Sequence, residues 1–120
     1  MTWIYKQTNG QIWHNSEIFG AGYSGHGEGK NNPACEAIHD VGPIPVGLYR
    51  IGPAHISANV GPCTMALDPI GHDACGRTDF RIHGDSIHDP GGASHGCIIL
   101  PRKIRELISA SDDKELEVIP

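Results

Sequence analysis

The sequence predicts a mainly β protein, a mixed sheet or sandwich with one short helix after Cys97, in a single domain over residues 1–120. Three observations carry that reading. Gly 16 and Pro 9 in 120 residues favour a turn-rich β fold over a helical bundle. Short apolar or alternating runs recur between Gly, Asn and Pro clusters through most of the chain, as strands do. Helical periodicity is confined to the segment after Leu100. A chain of this length supports one modest core.

Taken in order, 2–7 and 11–14 read as strands around Thr8-Asn9-Gly10, whose Asn-Gly pair favours a hairpin turn. Residues 17–23 read as a third strand. Trp3, Tyr5, Trp13 and Phe19 are expected in the core or a groove wall. Residues 24–41 form a long loop, which in a small domain is either a surface turn or the wall of a site. Its Gly25-His26-Gly27-Glu28-Gly29 is no phosphate loop, because no Gly-Lys-Ser/Thr follows. Strands are expected at 47–52 and 63–67, then at 80–83. Pro101 suits a helix start, and Ile104, Leu107 and Ile108 make one apolar face over 101–110. Arg102, Lys103 and Arg105 oppose the dipole at that end, so they face either solvent or an anionic partner. Residues 116–119 would complete the sheet.

A net charge of -5 with no basic run argues against nucleic-acid binding. No stretch is long and apolar enough to insert in a membrane, and Met1-Thr2-Trp3-Ile4-Tyr5-Lys6 lacks the pattern of a signal peptide. The expectation is synthesis in the cytoplasm without such a signal. Among Cys35, Cys63 and Cys75, one disulfide at most forms if Cys97 stays free, for example Cys63–Cys75; three small reduced thiols are the alternative.

Chemistry concentrates in FRIHGDSIHDPGGASHGCIIL, residues 80–100. A free thiol with a pKa of about 8.5 is mostly protonated at neutrality, so a nucleophilic Cys97 needs a base. No histidine follows Cys97. His83, at the end of a strand and before the turn at Gly84, is the rigidly held choice, ahead of His95 and His88. Gly96 leaves room for a substrate backbone beside the thiol and for main-chain N–H donors to an oxyanion. Arg77 and Arg81 lie near enough to attract a substrate carboxylate, or to pair with Asp79 or Asp85. The same side chains admit a rival class, a zinc module built from His83, His88, His95 and Cys97, although their spacing is not a usual finger pattern. A binding domain without catalysis is a third reading.

Ile82-His83-Gly84 followed by Ser94-His95-Gly96-Cys97-Ile98 resembles the signature of the L,D-transpeptidases, cysteine enzymes that remodel bacterial peptidoglycan. Residues 42–51, GPIPVGLYRI, resemble that family's turn into a core strand. The resemblance implies Cys97 as nucleophile and His83 as base, with the Gly84 carbonyl orienting the imidazole. It also implies Ser94, His95 and Gly96 as loop and oxyanion support, with neither cofactor nor metal. Ile99 departs from the polar residue often found there, and the loop before Ser94 is short. With Gly22-Tyr23-Ser24-Gly25 and Asn31-Asn32-Pro33, these features are similar to a small branch that includes type VI secretion effectors.

The implied substrate is the peptidoglycan tetrapeptide stem, with Tyr23, Arg81 and Arg102 as candidate binding residues. The implied activity is L,D-carboxypeptidase or L,D-transpeptidase chemistry, including D-amino acid exchange, in the periplasm of a target bacterium. A cognate immunity protein and a secretion-machine component are the implied partners.

Overall fold

The computed structural model describes residues 2–120; Met1, part of the N-terminal motif above, lies outside the described residues. The chain forms β1 (Trp3–Lys6), β2 (Gln11–His14), β3 (Glu17–Ala21), β4 (Tyr23–Ser24), β5 (Gly47–Ile51), β6 (His55–Ser57), β7 (Gly61–Ile70), β8 (Phe80–His83), β9 (Ile98–Ile99), α1 (Arg102–Ala110) and β10 (Glu115–Ile119). The sheet runs β3-β2-β1-β10-β5-β7-β8-β9-β4, with β6 attached to β7. It is mixed: β1 with β10 and β8 with β9 are parallel, and the other pairs are antiparallel.

The sheet is nearly closed, because β3 and β4 at its two ends are joined through Gly22. The expected single strand over 17–23 is thereby split. Gly22 donates its N–H to Gly10 O at 2.9 Å, and a Cβ at Gly22 would stand 1.6 Å from Ile99 O. No side chain can be accommodated against that backbone carbonyl without moving β9. Gly22→Ala is therefore expected to cost about 3 kcal/mol or more, measured as the loss of unfolding free energy in denaturant.

Alternation places Trp3, Tyr5, Ile12, Tyr49, Met65 and Ile82 inside. Phe19 packs against this core, whereas Trp13 lies on the outer face, beside Ile4 and Lys6. Two boundaries differ from the sequence reading. β7 continues through Pro69 because β8 pairs only with Met65–Leu67, so the missing proline N–H costs no ladder bond there. β6 escapes the pattern because its central Ile56 is 82% exposed.

On α1, Pro101 stands at the N-cap. Ile104 and Ile108 are buried as expected, but Leu107 is 44% exposed and Arg105 takes its place inside. Arg105 donates to Leu100 O at 3.0 Å and Pro62 O at 2.8 Å. It is a strut between the helix and the β6–β7 hairpin, not a surface cation. Among the described residues, no helix is long and apolar enough to cross a membrane.

Candidate active site

β8 and β9 are the two strands that organise the site. Their parallel register sets Ile82 beside Ile98 and His83 beside Ile99. Ile82 and Ile98 point into the core, so His83 and Ile99 lie on the outer face. Cys97 precedes β9 by one residue, and the same alternation brings it to that outer face, level with Arg81. His83 and Cys97 are thus diagonal neighbours on adjacent strands, a juxtaposition that the intervening loop has to permit.

That loop is short because it is tightly tied. The Asp85 carboxylate accepts the N–H of Ser86 and of Gly91 and the hydroxyl of Tyr23 at 2.5 Å. Tyr23 Oη in turn accepts Ala93 N–H at 3.0 Å. Burial and the Asp85 carboxylate push the Tyr23 pKa up to about 12. Tyr23, a candidate binding residue from the sequence, is thus a clasp on the loop between His83 and Cys97 with its hydroxyl engaged, while its side chain also borders a cavity.

His83 is buried, and its Nδ1 donates to Gly84 O at 2.8 Å. That bond leaves Nε2 as the acceptor of the neutral ring. Burial holds the pKa of His83 below the usual histidine value, and the nearby Arg105 and Arg81 lower it further, against an upward pull from the Gly84 bond. The Cys97 thiol is pushed up, chiefly by burial; an N–H from Arg81 and that residue's charge oppose the rise. The resting pair is therefore a thiol and a neutral imidazole. Sγ donates to Asp79 O at 3.7 Å, and among the described residues no hydrogen bond joins it to His83.

The His83 shift sets a pH dependence of folding. A histidine whose folded pKa lies below its unfolded one, near 6.5, contributes stability that is complete above that value. The contribution is lost as pH falls towards the depressed folded value, because the unfolded chain binds the proton more readily. His83→Gln is expected to flatten the acid limb of the stability–pH curve below about 6.5, as measured by urea unfolding at stepped pH.

The segment 94–97 is held from both sides. Ser94 Oγ donates to Cys97 O at 2.6 Å and accepts the N–H of Gly25 and of Gly96. Ser24 Oγ donates to Gly96 O at 3.0 Å. Gly96 has φ +131°, and a Cβ there would lie 2.4 Å from Arg77 Nη2, so only glycine fits. Because its amide is given to Ser94, Gly96 supports the loop and is not presented as an oxyanion donor. His95 stacks on His26 with ring centroids 5.3 Å apart, and its Nδ1 lies 3.2 Å from Asp40 O.

A cavity of about 290 Å3 opens beside Cys97, lined by His39, Asp40, Arg77, Asp79, Phe80 and His95 among others. The long loop 24–41 therefore serves as a wall. Arg77 is 4% exposed and its guanidinium is bound to main-chain carbonyls, where the sequence offered it either a substrate carboxylate or a pairing with Asp79 or Asp85. Arg81 lines an adjoining cavity with Asp68, Asp73 and Asp79. Arg102 pairs with Glu106 at 3.3 Å on the exposed side of α1 and borders a further cavity of about 390 Å3 with Tyr23, Ile99 and Arg105.

Among the described residues no three His, Cys, Asp or Glu side chains gather to hold a metal ion. His83, His88, His95 and Cys97 do not converge as the zinc reading requires. All four cysteines are free thiols.

A nearly closed mixed sheet, with His83 ending β8 and Cys97 just before the parallel β9, has the fold of an L,D-transpeptidase catalytic domain. The solved NMR structure of the catalytic domain of the E. faecium L,D-transpeptidase matches it with a TM-score of 0.55 at 18% identity, covering 98% of this chain and 95% of that one. The family model of the Tlde1 domain matches residues 19–119. The chain belongs to that family, one of type VI secretion effectors directed at peptidoglycan. No curated protein matches it in sequence comparison.

Proposed function

We propose that the protein is a cysteine enzyme that trims or exchanges the terminal residue of peptidoglycan tetrapeptide stems. The observation that carries this reading is the Nδ1–Gly84 O bond of 2.8 Å. It holds the imidazole with Nε2 left as the proton-accepting nitrogen, at the end of β8, which pairs with the strand that follows Cys97. In this reading the thiol swings off Asp79 O towards that nitrogen as substrate enters. A raised thiol pKa and a lowered imidazole pKa favour proton transfer during attack over a standing ion pair.

Sγ then adds to the carbonyl carbon of the diamino-acid residue. With the Gly96 amide committed to Ser94, the Cys97 amide is the oxyanion donor in this reading. Collapse of the tetrahedral adduct breaks the C–N bond, and the His83 proton passes to the departing D-alanine amine. The resulting thioester is resolved by water, giving a tripeptide, or by a D-amino acid, giving exchange. Either acceptor loses its proton to His83.

The cavities on either side of the pair bear on the acceptor. Ile99 is 3% exposed yet stands outside the core cluster. It walls the cavity on the side of Tyr23 and Arg102, and in this reading an apolar side chain there, in place of a polar one, favours a small acceptor over a second stem. Arg102 is the cation there with reach to a carboxylate. The matching cellular setting is the periplasm of a target bacterium, with an immunity protein that covers the Cys97 cavity in the producer and a secretion-machine component that delivers the chain.

The test is mass analysis of purified disaccharide tetrapeptide after incubation with the protein, with and without a free D-amino acid. Tripeptide, together with an exchanged tetrapeptide when the amino acid is present, is the expected result. Crosslinked dimer as the main product under both conditions would overturn the acceptor argument alone. Binding to intact sacculi without any mass change would select the noncatalytic wall-binding reading instead.

A further inference from the structure

Arg77 is the most heavily engaged side chain near Cys97, and the mechanism above gives it no part. Its guanidinium donates to four carbonyl oxygens: Glu36 O at 2.6 Å, Pro43 O at 2.9 Å, Gly42 O at 3.0 Å and His95 O at 3.1 Å. Three belong to the 36–43 segment that leads into β5; the fourth belongs to the loop that carries the thiol. The guanidinium also lies over the Phe80 ring, 5.3 Å from its centroid, at the start of β8. One planar group thus ties together the wall of the cavity, the strand of the base and the loop of the nucleophile. The planar fork suits this task because its five N–H groups are fixed relative to one another, whereas a lysine has three donors at one point.

The contact with Gly96 adds a steric half to the same device. The absence of a side chain lets Nη2 reach the backbone there. The pairing of a buried arginine with a glycine at φ +131° sets the direction in which the chain leaves His95, and hence where Cys97 begins.

We propose that Arg77 is a positioning residue for Cys97, locating the nucleophile by anchoring the His95 carbonyl to the Gly42–Pro43 turn. This rests on the reading of Cys97 as the nucleophile. Displacement of a reacting group by about 1 Å costs on the order of 100-fold in rate, so the predicted signature is a loss in kcat with KM little changed. A residue that served stability alone would lower the amount of folded enzyme without altering the rate per folded site.

The experiment compares Arg77→Lys, which keeps the charge, with Arg77→Met, which keeps only the length. Each rate is normalised to the folded fraction, determined by unfolding. Iodoacetamide alkylation of Cys97 is followed against pH in the same samples. Both variants are expected to lose about 100-fold in kcat, with KM within about threefold, and to show an altered pH midpoint of alkylation, higher in Arg77→Met where the cation is gone. An unaltered kcat per folded site in Arg77→Lys would overturn the proposal. So would failure of both variants to fold, which would make Arg77 a core strut. If the parental protein leaves stem peptides unchanged but the alkylation midpoint still moves in the variants, the proposed reaction fails while the positioning role stands.

Discussion

Cys97→Ala and His83→Ala are each expected to reduce turnover of tetrapeptide stems by about 10⁴-fold or more, to nearly the same residual level. Nucleophile and base act as one unit, so removing either forfeits most of what both supply, and the double variant should be little worse than the singles. His83 is the more informative partner because of its surroundings. Its Nδ1 is tied to Gly84 O and its ring is buried. His83→Gln retains a polar group of similar reach but no base, and it should match the alanine variant in rate while folding better. His95→Ala should be milder, within about tenfold, because His95 contacts the wall through His26 and Asp40 and not the reacting atoms. Circular dichroism and thermal melts establish that the variants fold. Full activity in folded Cys97→Ala would remove the proposed chemistry altogether.

The legible part of this protein is the part in which chemistry and backbone share a short segment. His83 at a strand end, Gly84 after it and Ser94-His95-Gly96-Cys97 are all readable from residue type and order, and so is the turn at Asn9-Gly10. What escaped the sequence depends on contacts far apart along the chain. Arg77 reads as a surface cation near a motif, yet it is buried by carbonyls contributed from position 36 to position 95. Arg105 looked like one more basic residue at a helix start, yet its partners lie more than forty positions away at Pro62 and Cys63. The binary pattern assigns every arginine to solvent, and nothing local marks the two that are not there. Tyr23 entered only as a candidate binding residue, and its tie to Asp85, sixty-two positions away, is equally invisible in the local sequence. The split of the third strand at Gly22 is a further case, since the reason is a carbonyl on β9 that no local reading of residues 17–23 includes.

The remaining large effect is cellular and follows from where the proposed substrate lies. Stem peptides in assembled peptidoglycan are outside the inner membrane, so the same polypeptide should be harmless or lethal according to its compartment. Expression in a Gram-negative host behind a periplasmic export signal is expected to lower viable counts by several orders of magnitude, whereas expression without that signal should leave growth unchanged. The Cys97→Ala protein, exported equally well, should be tolerated, and Arg77→Lys should fall between the two if positioning limits the rate. All four cysteines are free thiols, and export places them in an oxidising space. Cys75 is exposed, so Cys75→Ser should be included as a control against disulfide artefacts, and its toxicity should equal that of the parental chain. An immunity protein acting as proposed would restore growth only when it too is exported, since it must meet the Cys97 cavity there. Equal toxicity with and without the signal, or toxicity that survives Cys97→Ala, would place the target elsewhere than in the wall.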